Sequence, residues 1–230
     1  MSYIERPLRI QRTAPATYVI LGINLAVFIM LEVSGGSRNP WVLVNMGAKY
    51  APAIRAGEWW RLITSIFLHS GLFHLAANSY SLYNLGSVTE RLFGTPRFII
   101  AYLAAGLWGS IFSTIFADPR MIGVGASGAI FGLAGCLFYF GLRYPRQFRA
   151  IAGARFIVLV ILNLGIGFAT AVIDNYAHIG GLLGGFAAAY LLGLRGEPST
   201  RSRVVLRALL AIATLLGAAI AAWPSAVAVR

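Results

Sequence analysis

Charged residues are scarce in this chain: Asp, Glu, Lys and Arg make up 11% of its 230 residues, whereas hydrophobic types make up 58%. Soluble globular proteins carry about 25% charged residues, so the composition excludes an ordinary soluble domain. The apolar residues form long runs separated by short segments that carry arginine, a pattern typical of polytopic membrane proteins. We therefore expect an integral membrane protein, built as one all-α bundle of transmembrane helices over residues 1–230.

Cysteine and the acidic residues are also rare, and their scarcity argues against disulfides, metal sites and paired catalytic carboxylates. Cys136 is the single cysteine and cannot form an intrachain disulfide. The zinc-protease string H-E-x-x-H does not occur, and His69 and His74, five apart, share a helical face poorly. Asp118 and Asp174 lie in or beside outer loops, so no pair of carboxylates is available inside the membrane. We expect no metal and no cofactor.

The basic residues give the chain a net charge of +12, but they lie between the apolar runs. This distribution is the one that the positive-inside rule predicts, and it does not indicate nucleic-acid binding. With the N-terminus in the cytoplasm, 13 of the 19 basic residues fall on the inner side. We therefore predict a cytoplasmic N-terminus and an external C-terminus.

Seven apolar runs are candidate membrane spans, although the fourth is short at about 16 residues. The spans are predicted at about 14–32, 72–90, 98–117, 127–142, 156–173, 175–194 and 204–222. The long first connection contains Trp59 and Trp60 and is too apolar for a solvated loop, so we expect it to lie partly in the membrane interface.

Four polar residues are predicted at matched depth in spans 2, 4 and 6. Ser127, His178 and His74 precede the arginines that end their spans by 16, 17 and 17 residues. A rise of about 1.5 Å per residue places each of them about 24 to 26 Å above the inner boundary of the hydrocarbon core. Asn78 lies one turn deeper than His74. Because unsatisfied polar groups are costly in lipid, we expect these side chains to converge on a shared wet cavity.

Glycines at intervals of four predict how spans 4 and 6 approach each other. Span 4 has Gly128 and Gly132, and span 6 has two overlapping pairs in "AHIGGLLGGF", of which one is Gly181 and Gly185. Small residues at this interval allow two helix backbones to come close. The start of span 4 is therefore expected to pack against the start of span 6, bringing Ser127 towards His178.

A serine beside a histidine is the minimum set for an activated nucleophile, because the imidazole can take the hydroxyl proton and return it to the leaving amine. A helix that begins at Ser127 adds free backbone N–H groups suited to an oxyanion, and His74 and Asn78 can supply further donors. The pattern favours peptide hydrolysis. Asp174 precedes His178 by four residues, and we expect it to cap span 6 rather than to complete a triad.

Other residues have structural interpretations from the sequence alone. We expect His69 to fix the interfacial loop, Arg61 to anchor or brace that loop, and Glu90 to form a charge pair with Arg91 at the inner end of span 2. Phe131, one turn after Ser127, is a core residue by default, and its ring could support the His178 imidazole.

Three stretches of the sequence together resemble the rhomboid family of intramembrane serine proteases. They are "GEWWRLITSIFLHSGLFHLAANSYSLYNLGSVTERLFG", "GASGAIFGL" and "AHIGGLLGG", in this order and over about residues 57–185. The resemblance implies that Ser127 is the nucleophile and His178 the general base of a dyad without an acid. It also implies that His74 and Asn78 are the side chains of the oxyanion hole.

The resemblance extends to supporting residues. Trp60 and Arg61 correspond to a motif of the first loop, and Glu90 and Arg91 to a motif at the inner end of span 2. Where some members have Tyr under the catalytic histidine, this chain has Phe131, which keeps the ring and loses the hydroxyl.

The resemblance further implies a six-helix catalytic bundle over about 14–194, followed by an extra C-terminal helix at about 204–222. Its cavity would open to the outside, with lateral entry of substrate near the fifth span. The partners would be transmembrane protein substrates and membrane lipid, and the expected location is a bacterial inner membrane. An alternative function is a non-catalytic protein that binds or escorts transmembrane helices through the same cavity. A channel or transporter is disfavoured, because the sequence lacks an internal repeat and intramembrane carboxylates.

Overall fold

The computed structural model describes residues 10–153, 156–158, 160–162, 165, 173–195, 213–214, 217 and 219–220. Helices account for the regular structure of these residues, and the only β pairing within them is an isolated bridge between Lys49 and Gly123. The predicted all-α class is confirmed for this part of the chain.

Ten α-helices are numbered here in chain order. They are α1 (Pro15–Val33), α2 (Pro40–Asn45), α3 (Ala51–Arg55), α4 (Arg61–Thr64), α5 (Leu72–Ser81), α6 (Ser87–Phe93), α7 (Thr95–Phe116), α8 (Ser127–Arg143), α9 (Pro145–Ile151) and α10 (Asn175–Leu192). By length and composition, α1 and α7 could each cross a membrane, and α8 is a shorter apolar helix. A proline in the first turn of α1 and of α7 suits a helix start, where no backbone donor is lost.

Spans 1, 3, 4 and 6 agree with α1, α7, α8 and α10 to within three residues at each end. Span 2 corresponds to α5 and α6, which are joined without a break by a π-helical segment, Leu82–Gly86. The first connection contains α2, α3 and α4 followed by a 3-10 turn at Ser65–Phe67. Its Trp59 and Trp60 side chains are exposed, as expected for residues at a membrane interface.

The fifth and seventh predicted spans are described only in part. Residues 156–158, 160–162 and 165 are helical, which agrees with the start of the fifth span, and the remainder of 156–173 lies mostly outside the described residues. The seventh span, 204–222, also lies mostly outside them and stays a prediction. One of its described residues, Thr214, accepts a hydrogen bond of 2.9 Å from Trp108 Nε1 on α7.

Helix α10 lies between α7 and α8, and glycines on two of its faces make the close approach possible. On one face, a Cβ on Gly181 or Gly185 would collide with the backbone carbonyl of Gly128 or Gly132 on α8. On the other face, Gly180 and Gly184 pack against α7. A Cβ added to either glycine would lie 2.6 to 2.7 Å from the nearest atoms, which belong to Trp108 and Phe112. The predicted glycine contact between spans 4 and 6 is confirmed.

The predicted charge pair between Glu90 and Arg91 is wrong. Glu90 is fully buried, and its carboxylate accepts hydrogen bonds from the N–H groups of Ala16 and Thr17, at 3.0 and 2.8 Å, and from the Thr17 and Thr95 hydroxyls. Arg91 is exposed. A carboxylate accepts hydrogen bonds from the free N–H groups at a helix start, and the positive end of the helix dipole stabilises its negative charge. Glu90 therefore links α6 to the start of α1.

We expect Glu90→Ala to lower the free energy of unfolding by about 3 kcal/mol, because four donors lose their acceptor in the interior. Arg91→Ala, at the exposed neighbouring position, is the matched control and should change stability by less than about 0.5 kcal/mol. Thermal unfolding in detergent measures both. Equal midpoints for the two variants would contradict the role given to Glu90.

Candidate active site

Ser127 and His178 meet where α8 and α10 begin. The Nε2 atom of His178 lies 3.0 Å from Ser127 Oγ, which is hydrogen-bond distance. Ser127 is the first residue of α8 and is half-buried, whereas His178 lies in the first turn of α10 and is 7% exposed. The glycine contact between the two helices produces this approach, because a larger residue at Gly181 would hold α10 away from α8.

The His178 imidazole is oriented by an aromatic ring. Phe131, one turn after Ser127 on α8, stacks on it with ring centroids 4.2 Å apart and an interplanar angle of 16°. Within the described part of the chain, His178 Nδ1 has no hydrogen-bond partner. Among the described residues, the His178 ring is therefore positioned by packing against Phe131 and not by a carboxylate on Nδ1.

Asp174 caps α10, as the sequence predicted. Its Oδ1 atom accepts a hydrogen bond of 3.0 Å from the N–H of Ala177, and its Oδ2 atom accepts one from the Ser113 hydroxyl. Both carboxylate oxygens are thus engaged away from His178 Nδ1. The arrangement is a serine–histidine pair without an acid.

His74 and Asn78 point towards the space beside Gly125, two residues before Ser127. A Cβ on Gly125 would lie 2.7 Å from His74 Nε2 and 3.7 Å from Asn78 Nδ2. Gly125 has a φ of +120°, a conformation that favours glycine. Asn78 is held in place by a hydrogen bond of 3.0 Å from its Nδ2 atom to the His74 carbonyl. The two side chains and the first N–H groups of α8 can therefore donate to one oxygen.

The loop that carries Ser127 is attached to the first connection at three points. Lys49 and Gly123 exchange two backbone hydrogen bonds of 2.9 Å, and the Gly125 N–H donates to the Ser65 carbonyl at 3.0 Å. The third is the Ala126 N–H, which donates to His69 Nε2 at 3.5 Å. These contacts fix the irregular backbone just before the helix.

His69 is fully buried in the connection before α5, as expected for a residue that fixes this loop. Its Nδ1 atom lies 3.3 Å from the Phe67 carbonyl, and its ring meets the His74 ring edge-on, with 5.3 Å between centroids. A neutral ring with its proton on Nδ1 satisfies both the Phe67 and the Ala126 contacts. Burial, and to a smaller extent His74, lowers the pKa of His69 to about 4.

We expect His69 to make the folded state less stable as the pH falls from about 6.5 to about 4. In this range the unfolded chain binds a proton at position 69 and the folded protein does not, so unfolding is favoured. A shift of this size corresponds to about 3 kcal/mol over the window. His69→Gln keeps an acceptor and does not titrate, so its unfolding midpoint should fall less steeply with acid. Parallel curves for the two proteins would contradict this prediction.

Arg61 and Trp60 lie in the first connection and not at the serine–histidine pair. Arg61 is buried, donates to the carbonyls of Val44 and Ala48, and forms an ion pair with Glu58. Of the two roles considered for Arg61, bracing the loop is the one observed. Glu90 and Arg91 are likewise remote from the pair, at the junction of α1 and α6.

A polar cavity lies beside Ser127, but its wall is not formed by the four polar side chains at which a shared wet cavity was expected. It has a volume of about 40 Å³, and its wall includes Gly125 and Gly128, on either side of Ser127 in the sequence. Lys49 reaches this wall although it lies far away in the sequence, in a loop whose path the hydrophobic pattern does not define. Three serine hydroxyls and one carboxylate complete the polar lining: Ser65, Ser110, Ser113 and Asp174.

Within the described residues, no three His, Cys, Asp or Glu side chains are grouped so that they could hold a metal ion. What the arrangement offers is a hydroxyl beside a base and donors directed at one point. Those groups are the requirements for nucleophilic attack on a carbonyl and stabilisation of the resulting oxyanion.

Comparisons with known proteins identify the family of the chain. A model of the Rhomboid domain matches residues 56–195. Rhomboid protease GluP of Bacillus subtilis is 46% identical over 201 residues, which cover 87% of this chain and 39% of that protein. RHOMBOID-like protein 5 of Arabidopsis thaliana is 39% identical over 160 residues, which cover 67% of this chain and 51% of that protein. The chain thus spans about half, or less, of the length of these two relatives. Because the domain match covers more than half of its residues, the chain belongs to the rhomboid family.

Proposed function

We propose that this integral membrane protein is a serine endopeptidase that hydrolyses peptide bonds in or near transmembrane segments of membrane proteins. The observation that carries the proposal is the distance of 3.0 Å between Ser127 Oγ and His178 Nε2. Membership of the rhomboid family and the name of the protease GluP support it. The natural partners would be transmembrane protein substrates within the lipid bilayer.

In the proposed reaction, His178 Nε2 takes the proton of Ser127 as Oγ attacks the carbonyl carbon of the scissile bond. The carbonyl oxygen becomes an oxyanion, which receives hydrogen bonds from His74, Asn78 and the start of α8. His178 then gives the proton to the leaving amine, and an acyl-enzyme remains on Ser127. Water, deprotonated by His178, attacks this ester; His178 returns the proton to Ser127 Oγ as the acyl–oxygen bond breaks, and the carboxylic acid is released.

We infer that substrate enters laterally, through a second cavity beside Phe131. This cavity has a volume of about 360 Å³. Its wall combines residues of α5 and α8 with Phe156 and Val160, which belong to the predicted fifth span. Phe131 borders this cavity and stacks on His178, so a segment that enters here would approach the dyad directly.

The proposal also covers the organisation and location of the chain. We propose a single membrane domain with a catalytic core over about 14–194 and an appended helix at about 204–222. The orientation would place the N-terminus in the cytoplasm and the C-terminus outside, in a bacterial inner membrane, because the arginines are concentrated on one side.

A serine-reactive fluorophosphonate distinguishes this function from the non-catalytic alternative. The purified protein in proteoliposomes should be labelled at Ser127 and should cleave a single-pass model substrate, because the nearby imidazole activates the hydroxyl. A protein that only binds or escorts helices would bind the substrate without cleaving it or reacting with the probe. That result would overturn the proposed function.

We expect Asn78→Ala to lower kcat by about 10- to 1,000-fold with little change in KM, because the lost donor acts on charge that develops in the transition state. Ser79→Ala, the next position on α5, is the control and should retain wild-type kinetics. Steady-state cleavage of the model substrate measures both constants. Unchanged turnover would remove Asn78 from the oxyanion hole.

A further inference from the structure

The two ring nitrogens of His74 face different sides of the site. Its Nε2 atom faces the space beside Gly125, where an added Cβ would lie 2.7 Å from it. Its Nδ1 atom accepts a hydrogen bond of 3.4 Å from the backbone N–H of Ser70. A neutral imidazole carries one ring proton, and the hydrogen bond made by one nitrogen decides which nitrogen carries it. Because Nδ1 is an acceptor, the proton belongs on Nε2.

The Ser70 N–H belongs to a backbone segment that is itself held in place. Gly71 follows it as the residue before α5, and the Gly71 N–H donates to Ser37 Oγ at 3.1 Å. The Ser37 hydroxyl in turn donates to the carboxylate of Glu32, in the last turn of α1. These bonds fix the backbone beside the first turn of α5, which carries His74.

The bond from Ser70 also sets the rotation of the His74 ring. A ring turned by half a revolution would present a carbon atom to this N–H, and Nε2 would exchange places with Cε1. The neighbouring histidine has the opposite arrangement: His69 Nδ1 lies 3.3 Å from the Phe67 carbonyl, and its Nε2 accepts from the Ala126 N–H. The two rings, which meet edge-on, are thus expected to be opposite tautomers.

We propose that the Ser70 N–H holds His74 as the neutral tautomer with its proton on Nε2 and directs this proton at the oxyanion. The inference rests on the proposed function, since the oxyanion forms only in that reaction. A donor that is aligned before the reaction needs no reorganisation as charge develops in the transition state. Ser70 acts through His74 and does not touch the substrate, so it is a positioning residue.

Nitrogen NMR of histidine-labelled protein in proteoliposomes measures the tautomer directly, because protonated and unprotonated nitrogens of a neutral imidazole resonate far apart. The chain has three histidines, so His74→Gln and His69→Gln assign the signals by their loss. At neutral pH we expect the proton of His74 on Nε2 and that of His69 on Nδ1. A His74 ring protonated on Nδ1, or divided equally between the two tautomers, would overturn the inference.

Ser70→Pro removes the backbone donor, and Ser70→Ala is the matched variant that keeps it. In the proline variant the His74 signals should move towards a mixture of tautomers, and kcat should fall by about 10-fold with little change in KM. Unchanged His74 signals in this variant would show that the N–H does not set the tautomer. An equal effect in the alanine variant would assign the effect to the serine side chain. Either result contradicts the proposal.

Two replacements of His74 locate the donor without changing the loop, and they decide the matter if the proline variant does not fold. The amide of glutamine reaches about as far as Nε2, whereas that of asparagine ends near the position of Nδ1. His74→Gln should therefore cleave at least about 10-fold faster than His74→Asn. Equal rates would place the useful donor elsewhere and refute the inference. Absence of hydrolysis by the wild-type protein would instead refute the proposed function, whereas the tautomer measured by NMR does not depend on hydrolysis.

Discussion

Replacement of Ser127 by alanine is expected to abolish hydrolysis, with a fall in kcat of at least about 10,000-fold. The hydroxyl is the only group within the proposed dyad that can form the acyl-enzyme, and alanine leaves His178 with no proton to accept. Substrate should still bind, because the side chains around the oxyanion space and the apolar cavity remain in place. The measurement is cleavage of a single-pass model substrate under single-turnover conditions.

Ser87→Ala is the matched control for this substitution. Ser87 lies at the start of α6, is 8% exposed, and its hydroxyl has no hydrogen-bond partner among the described residues. Removing it should leave cleavage unchanged. His178→Ala should be nearly as damaging as Ser127→Ala, because nucleophile and base act as a unit, and the double variant should be little worse than either single one. Cleavage by Ser127→Ala at the wild-type rate would refute the assignment of the nucleophile.

Much of the fold could be predicted from the sequence, because each membrane span is a local feature. The length of each apolar run and the arginines at its ends predict α1, α7, α8 and α10 to within three residues at each end. The same counting predicts the matched depth of Ser127 and His178, because helical rise is constant. Glycines at intervals of four also predict which helices are in contact, because backbones can approach closely only where side chains are absent.

Other features could not be predicted, because they depend on contacts between distant segments. Glu90 and Arg91 are neighbours in the sequence and suggest an ion pair, yet Glu90 caps α1, more than 70 residues earlier. Nothing local in the sequence indicates that α1 begins beside the end of α6. The position of Lys49 could not be predicted for the same reason. Its place in the wall of the polar cavity depends on the backbone bridge to Gly123 and on the short helices of the first connection.

Gly181→Ala is expected to lower kcat by about 100-fold or more, although the substitution adds one methyl group and lies one turn beyond His178. The new Cβ would collide with the Gly128 carbonyl, which is backbone and cannot rotate away as a side chain can. Helix α10 must therefore move away from α8, and His178 moves with it. Proton transfer needs Nε2 within hydrogen-bond reach of Ser127 Oγ, so even a small displacement slows the reaction.

Gly22→Ala is the matched control, because Gly22 lies inside α1 and a Cβ there would have nothing within 4 Å. Its effect should be neutral or slightly stabilising, since alanine favours a helix more than glycine does by about 1 kcal/mol. Single-turnover rates and thermal midpoints of both variants separate catalysis from folding. A folded Gly181→Ala protein that cleaves at the wild-type rate would show that α8 and α10 can separate without loss of the dyad. The close glycine contact would then be a matter of packing and would not set the distance between Ser127 and His178.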